Sequence, residues 1–64
     1  MTHPEDRGLT LLTTYYGDDF DAAVYTTGGT YHTVFVTNID DGSSTEHRFQ
    51  SRAKAVAFAE GAAA

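Results

Sequence analysis

The sequence predicts an α+β fold, an antiparallel β-meander of three to four strands with one C-terminal α-helix packed on one face. Two features of the 64-residue chain predict it. Residues 9 to 50 are rich in Thr, Tyr, Val, Phe and Leu, which suit a pleated surface, and Gly and Asp interrupt them roughly every ten residues. After residue 50 the sequence becomes a run of good helix formers.

Turn residues place the expected strands at 9–16, 20–27, 30–39 and 44–50. Gly28-Gly29 and Asp41-Gly42 are typical of two-residue hairpin turns, because glycine supplies the positive φ angles that such turns need. Ser51 is a suitable N-cap for the helix, and Gly61 stands where a C-terminal cap is expected. We therefore expect one β-β-β-β-α domain at 9–62, preceded by a flexible N-terminus at 1–8.

Length and composition limit the kinds of protein this chain can be. A chain of 64 residues forms one domain with a thin core, so self-association is a useful source of stability. Because the chain has no cysteine, disulfides and cysteine-bound zinc are excluded, and a reducing, cytoplasmic location is expected. The polar start has no signal-peptide pattern, and no apolar run approaches the ~20 residues that span a membrane, so no membrane partner is expected.

The expected strand register predicts an apolar surface that the helix leaves uncovered. If both hairpins close at their two-residue turns, Val34 pairs with Ala23 and Phe49, and the helix covers this face. Both faces of the sheet are apolar, and one short helix covers only one of them. An exposed apolar patch of this kind marks a partner or dimer surface. Its aromatic members are Phe20, Tyr31 and Phe35.

Negative charge is concentrated in two of the turns. Nine acidic residues face four basic ones, which gives a formal net charge of −5. The first and third turns of a meander lie at the same end of the sheet, so five carboxylates are expected to gather there. They are Asp18, Asp19, Asp21, Asp40 and Asp41. Such a surface suits a basic partner and is steered towards it at long range, whereas the alternative is that the charge only maintains solubility.

Catalysis, cofactor binding and metal binding are not expected. Aspartates in turns of a small domain are solvated, and general acid–base chemistry needs a pocket that shifts their pKa values. The sequence has no nucleophile elbow, no phosphate-binding loop and no EF-hand spacing. His32 and His47 share a face of adjacent strands but lack a third ligand, which favours two half-buried histidines at the edge of the core.

In size, acidity, lack of cysteine and sheet-plus-helix form, the chain resembles the small phage-encoded inhibitors that block host defence, including anti-CRISPR proteins. The resemblance covers the general character of the whole chain and involves no shared motif. Some members of this group are DNA mimics that present carboxylates where phosphates would lie. The resemblance implies that the five turn aspartates, with Glu46, occupy a basic nucleic-acid channel of a host protein or nucleoprotein complex.

Two other functions remain open. The first is a structural or regulatory homodimer that associates through the Phe20, Tyr31 and Phe35 surface. The second is a nucleic-acid binder in which tyrosines act as stacking platforms. Direct nucleic-acid binding is disfavoured, because a net charge of −5 repels the phosphate backbone. The tyrosines concerned are Tyr15, Tyr16, Tyr25 and Tyr31.

Overall fold

A computed structural model of the chain describes residues 8–27 and 31–64. It confirms the expected fold class, because four antiparallel strands form one open sheet in the order β1-β2-β3-β4 and a C-terminal helix packs on it. The elements are β1 (Thr10–Tyr16), β2 (Phe20–Thr26), β3 (His32–Asn38), β4 (Ser44–Phe49) and α1 (Arg52–Ala63). The expected Gly28-Gly29 turn and the first seven residues of the expected flexible N-terminus lie outside the described residues.

Helix α1 begins as expected and ends later than expected. The Ser51 hydroxyl accepts a hydrogen bond of 3.4 Å from the Lys54 backbone N–H, the N-cap arrangement. The C-terminal cap expected at Gly61 is wrong, because the helix continues through that residue to Ala63. Within the described residues, no helix has the length and the apolar composition that crossing a membrane requires.

The core is a contact between two valines and a row of alanines. Val24 and Val34 pair across β2 and β3 and are completely buried, together with Ala55 and Ala59 of the helix. The small alanine side chains allow the helix to lie close to the sheet. At the β4 side, the Phe58 ring contacts two rings of the sheet, with centroids 4.6 and 5.2 Å away. These two rings belong to His47 and Phe49.

The expected β2–β3 register is wrong by one residue. Val34 pairs with Val24 and not with Ala23, since the last pair before the connection is Thr26 with His32. The connection is therefore longer than the two-residue turn on which the expectation rested. A shift of one residue exchanges the two faces of a strand. We call the side of Ala22, Val24 and Val34 the helix face, and the side of Ala23, Tyr25, Thr33 and Phe35 the open face.

The expected β3–β4 register is wrong by two residues, which leaves the faces unchanged. Val34 pairs with His47, two positions from the expected Phe49. The turn spans residues 39–42, and it is closed by 2.8 Å hydrogen bonds from Asn38 N–H to Ser43 O and from Gly42 N–H to Asn38 O. Gly42 adopts a φ of 75°, which glycine adopts without strain. Phe49 therefore lies on the helix face as predicted.

Gly17 and Gly61 provide a matched pair of glycine-to-alanine tests. A Cβ added at Gly17 would overlap the Ala63 carbonyl oxygen and lie 2.6 Å from the Phe20 carbonyl oxygen, whereas nothing lies within 4 Å of one at Gly61. We expect Gly17→Ala to lower the free energy of unfolding by about 1–3 kcal/mol through overpacking. Gly61→Ala is expected to raise it by about 0.5–1 kcal/mol, because alanine is the better helix former.

Urea denaturation monitored by circular dichroism measures both changes. Equal effects of the two substitutions would contradict the close packing of the helix end against the β1–β2 turn. A stabilised Gly17→Ala variant would contradict it as well.

Candidate functional site

The β1–β2 turn and the β3–β4 turn lie side by side at one end of the sheet. The Ile39 backbone N–H donates a 3.0 Å hydrogen bond to the Asp19 carbonyl oxygen, which joins the two turns directly. The strands agree with this placement, since Phe20 pairs with Asn38 at the same end. The expectation that the first and third turns meet is confirmed. We call this end of the molecule, with Asp18, Asp19, Asp21, Asp40 and Asp41, the acidic end.

Two of the five aspartates hold the turns in shape. The Asp41 carboxylate accepts a 2.8 Å hydrogen bond from the Ser43 backbone N–H, and the Asp21 carboxylate accepts one of 3.4 Å from the Gly17 N–H. Two hydrogen bonds from Ser43 lower the pKa of the Asp41 carboxyl below its ordinary value of 3.8. The bond from the Ser43 side chain has the larger effect, and the bond from its backbone has the smaller one. Local structure therefore accounts for these two residues.

The other three aspartates have no comparable structural role. Asp18, Asp19 and Asp40 are exposed, and their carboxylates have no hydrogen bond or ion pair with any residue that the structure describes. Asn38 stabilises the turn at the Asp40 position, because its side-chain oxygen accepts a 2.9 Å hydrogen bond from the Asp40 N–H. Within the described residues, these three carboxylates are therefore free to face solvent.

The carboxylates are spread over the acidic end and do not converge on one point. No group of three His, Asp or Glu side chains in residues 8–27 and 31–64 is arranged to hold a metal ion. A surface of separated charges fits an extended partner carrying several positive charges, since each carboxylate can accept its own hydrogen bond.

The C-terminus of α1 adds negative potential to the acidic end. The helix ends against the β1–β2 turn, where the Ala63 carbonyl lies next to Gly17. A helix C-terminus carries a partial negative charge, yet the last turn of α1 has no basic residue and the first turn has no acidic one. Arg52 and Lys54 are instead placed at the positive end of the helix, at a cost of about 0.3–1 kcal/mol per charge.

This arrangement of charge therefore does not stabilise the helix. Among the described residues, it places Arg52 and Lys54 at the start of α1 and leaves the end of α1, next to the acidic end, without a basic side chain. Sequence reasoning located the clustered aspartates but missed the contribution of the helix, because the expected helix stopped before Gly61. The run of alanines after Gly61 is the signal that was available, since alanine has the highest helix propensity.

Glu46 does not belong to the acidic end. It lies within β4 opposite Phe35, on the open face, and its carboxylate is 3.5 Å from the Arg48 guanidinium Nε. Its negative charge is therefore balanced by a neighbour on the same strand. The expectation that Glu46 binds a partner together with the turn aspartates stays a prediction.

The expected aromatic surface is divided between the two faces. Phe20 alternates with Ala22 and Val24, which places it on the helix face, whereas Tyr31 and Phe35 fall on the open face. The one-residue register error is the cause. Sequence reasoning also missed Tyr25, whose ring packs edge-on against Phe35 with the centroids 5.5 Å apart. The open face therefore has as many aromatic side chains as expected, with Tyr25 in place of Phe20.

Both histidines of the sheet lie at the edge of the core, as predicted. His32 and His47 are half-buried and share the helix face, where His32 is opposite Phe49 and His47 is opposite Val34. His47 also lies 3.0 Å from the Thr45 hydroxyl through its Nε2 atom. The Nδ1 atom of His32 is buried and has no hydrogen-bond partner among the residues that the structure describes. The contacts of His47 with Thr45 and Phe58 fit a structural residue, whereas the structure gives no such explanation for the buried Nδ1 atom of His32.

Asp41→Asn tests the hydrogen bonds that lower the pKa of this carboxyl. A depressed pKa in the folded state contributes stability that is present above the unfolded pKa and is lost as pH falls through the folded pKa. We therefore expect the wild type to be more stable than Asp41→Asn at neutral pH, with the difference shrinking below pH 3.8. Urea denaturation at a series of pH values down to about pH 2 measures it.

Ser43→Ala is the control for this prediction. It removes the hydroxyl that has the largest effect on Asp41, so it should weaken the same pH dependence in the wild type and have no such effect in Asp41→Asn. A stability difference between wild type and Asp41→Asn that did not change with pH would contradict the assignment.

Comparisons of the chain with protein-family models, with curated protein sequences and with solved structures found no match. The geometry of the acidic end is therefore the basis for a functional assignment.

Proposed function

We propose that this protein is a small inhibitor that binds the basic, nucleic-acid-binding surface of a host protein or nucleoprotein complex through its acidic end. The observation that supports the proposal most is the 3.0 Å hydrogen bond between Ile39 N–H and Asp19 O. It holds the two aspartate-rich turns next to each other, so that Asp18, Asp19 and Asp40 are exposed on one surface.

The binding step uses carboxylates in place of phosphates. Arginine and lysine side chains that bind a nucleic-acid backbone donate hydrogen bonds to anionic oxygens, and carboxylate oxygens accept the same bonds. The side chains of Asp21, Asn38 and Asp41 fix the turn backbones. A surface ordered before binding loses less conformational entropy when the partner arrives, which strengthens the complex.

Long-range electrostatics supports the same function. A net charge of −5 attracts a basic partner and accelerates the encounter, and the concentration of charge at one end orients the molecule as it approaches. The same charge disfavours direct binding to DNA or RNA, so the protein competes with nucleic acid. The proposal places it in the cytoplasm, together with the complex that it inhibits.

The alternative of a homodimer formed through the aromatic surface has less support in its expected form. Phe20 lies on the helix face, away from Tyr31 and Phe35. Tyr25 packs against Phe35 on the open face, so this face keeps three aromatic side chains and the homodimer stays the second candidate.

The double variant Asp19→Asn/Asp40→Asn tests the proposal by removing one charge from each turn. Each lost contact to a charged group costs about 1.5 kcal/mol, so the affinity for the partner should fall on the order of 100-fold. Proteins captured from host lysate by the immobilised wild type should be nucleic-acid-binding proteins, and duplex DNA and added salt should release them. The variant should capture far less.

Glu46→Gln/Glu60→Gln is the matched control, because it removes the same amount of charge outside the two turns. It should keep the wild-type affinity and most of the salt dependence. Equal losses in both double variants would mean that net charge alone drives binding. Partner binding that duplex DNA does not displace would rule out nucleic-acid mimicry.

A further inference from the structure

The two edge strands of the sheet are protected very differently. β1 and β4 are the outer strands of the described sheet. Folded proteins protect such edges with charged side chains, prolines or bulges, because an unpaired strand edge is a template for pairing with another chain. β4, with the sequence STEHRF, carries Glu46 and Arg48. β1, with the sequence TLLTTYY, has no charged residue, no glycine and no proline.

The sequence of β1 and its register with β2 show one feature that opposes pairing with another strand, a single bulge. The register with β2 shifts between Leu11 and Thr13, and the pairs from Thr13 to Tyr16 are regular. A regular, uncharged segment rich in threonine and tyrosine has high β-propensity and is well suited to receive another strand. The helix does not occupy this position, since its buried residues pack on Val24 and Val34 of the central strands.

Exposed apolar side chains lie along the same strand. Leu11 is 47% exposed and Tyr16 is 80% exposed, and both are on β1. Side chains at an edge gain contacts when a strand is added, because residues opposite each other on paired strands pack together. Among residues 8–27 and 31–64, no strand pairs with the outer edge of β1, and this edge carries apolar side chains that a new neighbour would cover.

We propose that β1 pairs antiparallel with β1 of a second copy of this chain about a two-fold axis, which produces a continuous eight-stranded sheet. A second copy fits for electrostatic reasons. Antiparallel pairing places the two acidic ends at opposite ends of the joined sheet, so that two molecules of net charge −5 meet along uncharged strands. We call the line along which the two paired strands meet the seam. The same antiparallel pairing between two β4 strands would bring Glu46 and Arg48 of both copies into the seam.

The pairing also closes the assembly at two copies. Once the β1 strands are joined, the two charged β4 edges are the open edges of the described sheet, and charged edges resist further addition. Because the contact is one strand edge, it belongs at the small end of the size range for specific interfaces. We therefore expect a reversible dimer whose population depends on concentration.

Sedimentation velocity and distance measurements between spin labels test the proposal together. The chain has no cysteine, so Thr14→Cys and Thr45→Cys each provide one unique labelling site, in β1 and in β4 respectively. In the proposed dimer the Thr14 positions lie close to the seam, within about two strand spacings or ~10 Å. The Thr45 positions lie on the outer strands, seven spacings or about 34 Å apart.

Thr14→Lys and Thr45→Lys form the matched pair of disrupting variants. Both add one positive charge to an edge strand, but only Thr14→Lys places like charges close together across the seam. We expect it to weaken dimerisation about fivefold or more, whereas Thr45→Lys leaves the dissociation constant unchanged. Circular dichroism verifies that each variant is folded, and the Thr45 label distance tests the dimer without altering β1.

Three results would overturn the proposal. One is a monomer at all concentrations up to the millimolar range. Another is a dimer in which the Thr45 labels are the closer pair, which would indicate a β4 seam or stacked faces. The third is a series of higher oligomers, because a two-fold β1 pairing leaves no uncharged edge for further growth.

Discussion

The contact of two valines with the alanine face of the helix determines most of this structure. Val24 and Val34 are the largest side chains that are completely buried among the described residues, and they meet Ala55 and Ala59. This contact sets which face of β2 and β3 is covered. It also sets the direction in which the helix returns along the sheet. The end of α1 consequently reaches Gly17, next to the turns that carry the aspartates.

The order of the elements could be predicted from the sequence because glycine and aspartate mark each turn chemically. The register of β2 against β3 could not be predicted from the sequence. Ala22 and Val24 are apolar, and so are their neighbours Ala23 and Tyr25, so alternation does not favour one face over the other. Packing against the helix determines which face of β2 is covered, because the smaller side chains of Ala22 and Val24 allow the helix to lie close to the sheet. Local sequence contains no such information.

The candidate site was more predictable than the faces of the sheet. Its position depends on the order of the strands alone, since any up-and-down meander brings its first and third turns together, and a register shift of one residue does not separate them. Glu46 is close to the third turn in sequence but lies within β4, where its cross-strand partner is Phe35 and its carboxylate is 3.5 Å from the Arg48 Nε on the same strand.

The surface of the molecule has a charged region and an uncharged region, and the two suit different contacts. Five aspartates lie in or next to the turns at one end and β1 is uncharged, so the proposed contact with a basic partner and the proposed pairing with a second copy would use separate surfaces. In a two-fold dimer joined along β1, the two acidic ends would lie roughly 30 Å apart, from the strand length and the spacing of neighbouring strands. Two linked acidic ends engage a partner with two basic sites far more strongly than one does, because the second contact forms at high effective concentration. A weak contact between edge strands would then be coupled to partner binding, since a partner that spans both acidic ends favours the paired form.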